Sequence, residues 1–384
     1  MGEKGYKAFK EGMVCKGGKK YKENTTYEEN GKDLCESMHY CENPFDVLDY
    51  YPLVNKNGDF SEFAEVEALG NVLKKNNKSA SNKLHIGTKL SFKNFIKTCI
   101  DFTLEKTKID QKTATIVGIN TIDDSVQISS SEDDEQISSS GNLTQIGSSG
   151  NYVQINSSGE YAQIGSSGDF AKISSSGGLA KIGSSGNHAQ IGSSGNAVRI
   201  GASGICTKIG VSGDYAQISS SGNHAKIGIS GKCAQIGVSG DDVKIGSLGD
   251  RARISSSGYN TQIGASGDSV KIDSSGDYSQ INLSGEYAQI SLSGKYAQIT
   301  ASGENSIICC TGLNSKARAK KGSWITLSEW RFSKEKGDVI PVCVKTEYVD
   351  GERIKEDTFY KLINGEFKEI KYNKMKNWGE ACKK

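Results

Sequence analysis

The chain is poor in several things. It has three prolines in 384 residues, so few positions are barred from a β-ladder by a missing N–H. It has no apolar run approaching the ~18 residues that a membrane helix needs, and Met1–Gly18 has no apolar core, so neither a membrane span nor a signal peptide is expected. An excess of one charge is also missing. The 47 basic and 45 acidic side chains leave a net charge of +2, which excludes a polycation or polyanion acting through the molecule as a whole. Hydrophobic residues make up 35 %, low for a compact globule of this length. The ten cysteines follow no disulfide-scaffold spacing. With no export signal they are expected to be free thiols, and the expected location is cytoplasmic.

What the chain does have is 46 glycines and a beat of nine. Isoleucine recurs every nine residues from Ile119 to Ile308, and glycine keeps the same interval from Gly141 to Gly312. In a unit such as Gly213–Ser221 the third residue after glycine is small (Ala216) and the fifth is isoleucine (Ile218). Spaced by two, they point to one side of a strand, and the Gln, Lys or Arg between them points out. Residues such as Tyr215–Ile218 are therefore expected to be extended, with the Gly-Ser-Ser-Gly segment turning the chain and glycine supplying positive φ. Nine residues cannot close a circuit around a filled core, so the fold class expected is mainly β. It is a flattened parallel β-roll, a β-solenoid with two nonapeptide units per coil. A three- or four-walled coil is the alternative. Eleven coils at ~4.8 Å would make a rod of roughly 50 Å with an open edge at each end, which the flanking domains are expected to cap and hold apart.

Three domains follow: a small mixed α/β domain over 1–112, the solenoid over 113–316, and an antiparallel β domain with a basic tail over 317–384. In the first, Gly5–Phe9, Met38–Cys41 and Phe63–Leu69 read as strands and Pro44–Tyr51 as helical. Ser91 reads as the N-cap of a helix running from Phe92 to about Glu105. The acidic Glu132–Glu135 is expected to be an irregular coil. In the last domain Ser323–Trp330 alternates. Asp350-Gly351 and Asn364-Gly365 read as hairpin turns, the first joining Val342–Val349 to Arg353–Thr358. Charge is uneven: residues 118–312 carry net −6 and residues 313–384 net +6.

The words G-Y-K-A-F (5–9), L-C-E-S-M-H-Y-C-E-N-P-F-D-V-L-D-Y-Y (34–51), F-A-E-V-E-A-L-G (63–70), G-S-W-I-T-L-S-E-W (322–330) and V-K-T-E-Y-V-D-G-E-R-I-K-E-D-T-F-Y-K-L (344–362) resemble the two end domains of a phage and prophage protein family of Gram-positive bacteria. In that family a Ser/Gly-rich array of variable length sits between them. The resemblance implies a phage-linked accessory protein acting inside a bacterial host. The stretch 38–51 is also similar to the strand-then-helix of ADP-ribosyltransferase folds. Glu65 and Glu67 form the E-x-E pair that such a likeness would make catalytic, with His39 as a further candidate. Where that fold needs a His or Arg on an early strand, this chain offers Lys7.

Other candidate sites come from the residues themselves. Cys15, Cys35, His39 and Cys41 could bring zinc ligands together, although their spacing is not that of a zinc knuckle. A calcium ladder would need an Asp after every glycine, and only some units have one (Asp169, Asp214, Asp241, Asp250, Asp268, Asp277), so a solvated turn is the plainer expectation. An ice-binding face would need outward hydroxyls in place of the Gln/Lys/Arg row. The candidate binding stripe is Tyr152, Phe170, His188, His224, Tyr278 and Tyr296 on one wall and Tyr161, Tyr215 and Tyr287 on the other, with Asp242 and Arg251 among the further positions that vary between units. Aromatic rings beside basic groups could hold a single-stranded nucleic acid, but the net negative array disfavours it. No cofactor and no membrane contact are expected. The function expected is a non-enzymatic scaffold that binds a protein partner, specifically an inhibitor of a host defence protein. The alternatives are an ADP-ribosyltransferase-like enzyme in the first domain and a virion-associated fibre.

Overall fold

The computed structural model describes residues 2–29, 37–107 and 118–370. From β8 (Gly118–Thr121) to β30 (Lys316–Ala319) the beat of nine is one four-residue strand per unit. Each strand pairs in parallel with the strand 18 residues away, so that in Gln163–Ser166 and Lys181–Ser184 Ile164 lies on Ile182. Even-numbered strands form one wall and odd-numbered strands the other, which makes a parallel β-solenoid of about 12 turns. Two units make one coil, which excludes the three- and four-walled alternatives.

The register within a unit differs from the expectation. The strand is Gln217–Ser220, and Tyr215 lies in the turn with φ 58°. The left-handed residue is never the repeat glycine but the second residue after it, whatever its type: Leu143, His188, Arg251 and Tyr215 all adopt it. Its N–H donates across the coils, as Tyr215 does to the Lys232 carbonyl at 2.8 Å, and that bond holds a backbone shape costly for L-residues. The glycine is needed for a different reason. A methyl group built on Gly213 would overlap the carbonyl oxygen of Gly195 in the coil below. Stacking, not turning, demands glycine here.

The residue after the glycine also has a structural role. Its side-chain oxygen accepts the N–H of its counterpart one coil on: Asp169 from Asn187 at 2.7 Å, Asn196 from Asp214 at 2.9 Å, Asp241 from Tyr259 at 2.8 Å. Asp and Asn are thus rungs of a ladder that satisfies turn amides within a turn that faces solvent. Asp133 does the same for Asn151, so the acidic stretch 132–135 is a regular turn of the array and not an irregular coil.

Isoleucine and the small residue two before it fill the interior as expected, with Ile209, Ile227, Ala216 and Ala225 fully buried. The residue two after isoleucine points inward as well. In many coils it is serine, and the hydroxyls of Ser148, Ser166, Ser184 and others find no hydrogen-bond partner among the described residues. Elsewhere it is Val211, Ile229, Val238, Leu283 or Leu292. Where the small position is Thr207, Thr261 or Ser279 its hydroxyl bonds locally, as Thr207 Oγ1 donates to the Gly204 carbonyl at 2.8 Å.

The first domain has a four-stranded antiparallel sheet, ordered β1 (Glu3–Phe9), β4 (Glu62–Ala68), β7 (Lys83–Leu90), β2 (Thr25–Glu28). Beside it is a three-stranded sheet of β3 (Met38–Tyr40), β6 (Lys78–Ser81) and β5 (Val72–Lys75). Pro44–Asp49 is a 3₁₀ helix capped by Asn43, and α1 runs over Phe92–Thr107. Ser91 Oγ accepts the Asn94 N–H at 3.2 Å, as an N-cap should. This domain does not cap an end of the rod. It lies along the even wall, so the picture of two domains held roughly 50 Å apart by a spacer is wrong for its first half. The reason is α1. One side of the helix packs on the domain's own sheet, where Phe95 stacks on Phe63 at 3.7 Å, and the other side packs on the rod.

At the far end the sheets continue into antiparallel strands: β31 (Trp324–Ser333) with β32 (Asp338–Tyr348), and β33 (Tyr360–Ile363) with β34 (Glu366–Glu369). Ala317, in phase where isoleucine is expected, is buried against Ile299. Asn364-Gly365 makes the expected hairpin turn. Arg353–Thr358 is not a strand. Asp350 Oδ1 instead accepts the N–H groups of Glu352 and Ile354, curling the chain back. The expected basic tail over 374–384 lies outside the described residues.

Candidate functional site

The two walls present the same outward positions to different surroundings. On the even wall, α1 runs over a floor of glycines. Thr107 lies on Gly192, Thr103 on Gly210, Ile100 on Gly228, Ile96 on Gly246 and Phe92 on Gly264, and in most of these a methyl group would collide with the helix. The helix spans ~22 Å and five coils span ~19 Å, so one helical residue meets each coil. The flanking Gln/Lys row is engaged too. Lys208 and Lys226 pair with Asp46 at 2.6 and 3.6 Å, and Lys226 with Asp49 at 2.6 Å. Gln262 accepts the Leu53 N–H at 2.7 Å. At the floor positions of later coils, Asn282 donates to the Gly58 carbonyl at 2.7 Å and Arg318 pairs with Asp59. The expectation that this row faces water therefore fails on the even wall.

On the odd wall it holds. Gln145, Gln163, Lys181, Arg199, Gln217 and Arg253 are exposed above a floor that includes Gly147, Gly165, Gly183, Gly201 and Gly237. Together they line an open trough of about 1100 Å³. At Gly201 and Gly237 a methyl group would meet nothing within 4 Å. These glycines are therefore not required by packing within the chain, unlike their counterparts on the even wall.

The varying positions lie on the two edges and not on the walls. Tyr152, Phe170, His188, His224, Asp242, Tyr278 and Tyr296 follow one edge, and Tyr215 and Arg251 the other. Coil spacing stacks neighbouring rings: Tyr152 on Phe170 at 4.9 Å, Phe170 on His188 at 4.8 Å, Tyr278 on Tyr296 at 4.9 Å, each pair within 16° of parallel. His224 Nδ1 lies 3.9 Å from Asp242. The expectation of strand-surface tyrosines is corrected to turn-borne ring stacks, because the left-handed turn residue projects outward from the edge.

A third site lies in the first domain, where a cleft of about 400 Å³ is lined by Lys7, Cys15, His39, Cys41 and several tyrosines. Cys35 lies outside the described residues. Among the described residues no group of three His, Cys, Asp or Glu is placed to hold a metal. Burial pushes the Cys41 thiol up to about 12, which makes it a poor thiolate. Glu65 and Glu67 do not line this cleft. Glu65 pairs with Tyr6 and Glu67 with Lys4, whereas Lys7 pairs with Ala64, so the glutamates stand on the opposite face of the sheet from Lys7. Glu67 accepts the Gly2 N–H at 3.0 Å. The structure thus brings Cys15, His39 and Cys41 around one cleft with Lys7 and leaves Glu65 and Glu67 outside it. No described helix is long and apolar enough to cross a membrane.

Residues 3–98 match the protein family described as Domain of unknown function (DUF7666), which takes in this cleft, the 3₁₀ helix and the start of α1. No curated protein matches the chain. No solved structure matches it either.

Proposed function

We propose that the chain is a non-enzymatic binding scaffold whose odd wall seats an acidic α-helix of a protein partner. The observation that carries this reading is the helix the chain already seats on its even wall, over a glycine floor and beside a Gln/Lys/Arg row, features that the odd wall repeats with Ser219 and Ser255 among its glycines. The trough runs from the coil of Gln127 to that of Arg253, ~34 Å, which is room for a helix of about 22 residues. Lys181, Arg199, Arg253 and Lys271 stand on this wall with Asp273 as the one outward carboxylate among its described strands. The docked domain meets the even wall with Asp46, Asp49 and Asp59, and a partner with the same acidic character suits the odd wall. The resemblance of both flanks to phage proteins suggests a partner from the bacterial host, and obstruction of that partner is the biological role proposed.

The test is affinity capture from infected host cells with wild-type chain and wall variants in parallel, followed by binding of the purified partner. Gly183→Leu with Gly201→Leu fills the floor where the fold leaves space, and is expected to weaken binding at least tenfold. Lys181→Glu with Arg199→Glu is expected to weaken it less, by an amount that shrinks as salt rises. A partner held equally by wild type and both variants would sink the wall reading.

A further inference from the structure

Lys7 stands mid-strand on β1 and is 8 % exposed. A buried ammonium needs an anion or a full set of acceptors. Its Nζ donates to the His39 carbonyl at 2.5 Å and lies 5.3 and 5.9 Å from the ring centres of Tyr21 and Phe9. Among the described residues no carboxylate comes within ion-pair distance of it, and the one carboxylate lining the cleft, Glu29, is paired with Lys19. Three further lysines line the same cleft, each over a tyrosine ring: Lys16 over Tyr51 at 5.5 Å, Lys19 over Tyr21 at 5.2 Å, Lys78 over Tyr50 at 5.3 Å. Among the described residues, four ammonium groups against one carboxylate, beside several tyrosine rings, form a basic cleft.

We propose that this cleft binds a small phosphorylated ligand, whose phosphate supplies a counter-charge that no described residue gives Lys7 and whose remainder lies against Tyr21, Tyr50 and Tyr51. A space of about 400 Å³ suits a molecule of mononucleotide size. Lysine is the right residue for a point-charge contact with phosphate. Burial lowers the Lys7 ammonium to about 8, so the empty cleft holds its charge at a cost and a bound dianion relieves that cost. Cys15, Cys41, Glu29, Lys78, Lys19, His39 and Tyr21 are the titratable groups around it. Of these, Glu29 is screened by its pairing with Lys19, and Cys41 stays a thiol at neutral pH. Above about pH 8, where free Lys7 loses its proton, binding takes one up at Lys7 and affinity falls by up to tenfold per pH unit.

The experiment titrates the purified full chain with inorganic phosphate, adenosine monophosphate and acetate, reading thermal midpoint and calorimetric affinity. Phosphate and the nucleotide are expected to raise the wild-type midpoint and acetate not to. The nucleotide binding more tightly assigns part of the site to the tyrosine rings, and equal binding assigns it to phosphate alone; both results support the basic cleft. Lys7→Met keeps the volume and is expected to raise the unliganded midpoint while abolishing the phosphate shift. Lys16→Gln alters an exposed residue, leaves folding intact, and is expected to weaken phosphate binding several-fold. If Lys7→Met fails to fold, Lys16→Gln decides the matter together with wild-type phosphate affinity measured on either side of pH 8. No shift with either phosphate probe, or an unchanged shift in both variants, would overturn the proposal.

Discussion

The two walls of the rod are written in the same nine residues, yet one is an interface within the chain and the other is open. On the even wall the glycine after isoleucine is absent a side chain because α1 lies there: Ile96 would collide with any side chain at Gly246. On the odd wall the same residue at Gly201 has empty space above it. A third kind of glycine, at the edges, serves neither wall and lets one coil sit on the next. Three physical demands therefore share one residue type, and only the surroundings separate them. The comparison also shows what a docked element requires of this rod: one small residue per coil beneath it and acidic groups facing the Lys/Arg row.

The sharpest way to break the comparison is at the edge. Gly213→Ala places a methyl group on the Gly195 carbonyl oxygen, a backbone atom that cannot swing aside. The loss expected is about 4 kcal/mol or more, read as a fall in thermal or denaturant midpoint or as failure to fold. A near-normal midpoint would mean that the coils are further apart than described.

A paired substitution separates the walls. Gly246→Val drives a side chain into Ile96 and is expected to cost about 1–3 kcal/mol through overpacking against α1. It should also raise hydrogen exchange in α1. Gly201→Val, at the equivalent position opposite, is expected to be neutral or to stabilise by about 0.5–1 kcal/mol, because glycine is a poor strand residue where nothing needs the space. Equal effects on the two walls would remove the distinction on which the open trough rests.

Much of this architecture is legible in the sequence. The strict period of Ile119–Ile308 gives the coil, and the small residue at positions such as Ala216 gives the thin interior. The turn-and-strand phase was less legible. Alternation in Tyr215–Ile218 reads equally well as a strand, and only the inter-coil bond from Tyr215 to Lys232 decides that it is a left-handed turn. The inward serines are hidden in the sequence because serine after isoleucine reads as the start of a polar turn. The docking of α1 does leave a signal in the sequence. On even strands the row is Lys208, Lys226, Lys244, Gln262 above glycine throughout, while α1 repeats Phe92, Ile96, Ile100, Thr103, Thr107 at helical spacing. A helix with a second apolar face, longer than its own small domain needs, implies a second surface to cover. The grouping of Cys15, His39 and Cys41 is legible, but the basic character of their cleft is not, since Lys78 lies far from Lys7 and Lys16 in sequence and joins them only when β1 and β6 are in place.

The edges give the smallest effect and the finest discrimination. Tyr215 is 63 % exposed and left-handed, a combination in which the side chain contributes little burial while the backbone shape costs about 1 kcal/mol relative to residues that accept it. Tyr215→Asn is expected to stabilise by a few tenths to about 1 kcal/mol, since asparagine tolerates this region. Phe170→Asn gains the same backbone term but breaks two ring stacks, with Tyr152 and with His188, each worth about 0.5–1.5 kcal/mol. It should therefore be neutral or destabilising. The difference between the two midpoints measures the ring ladder itself, free of the backbone term. If both variants gain equally, the stacked rings hold nothing together within the chain, and tyrosine, phenylalanine and histidine occupy a position better suited to asparagine for a reason outside its own stability.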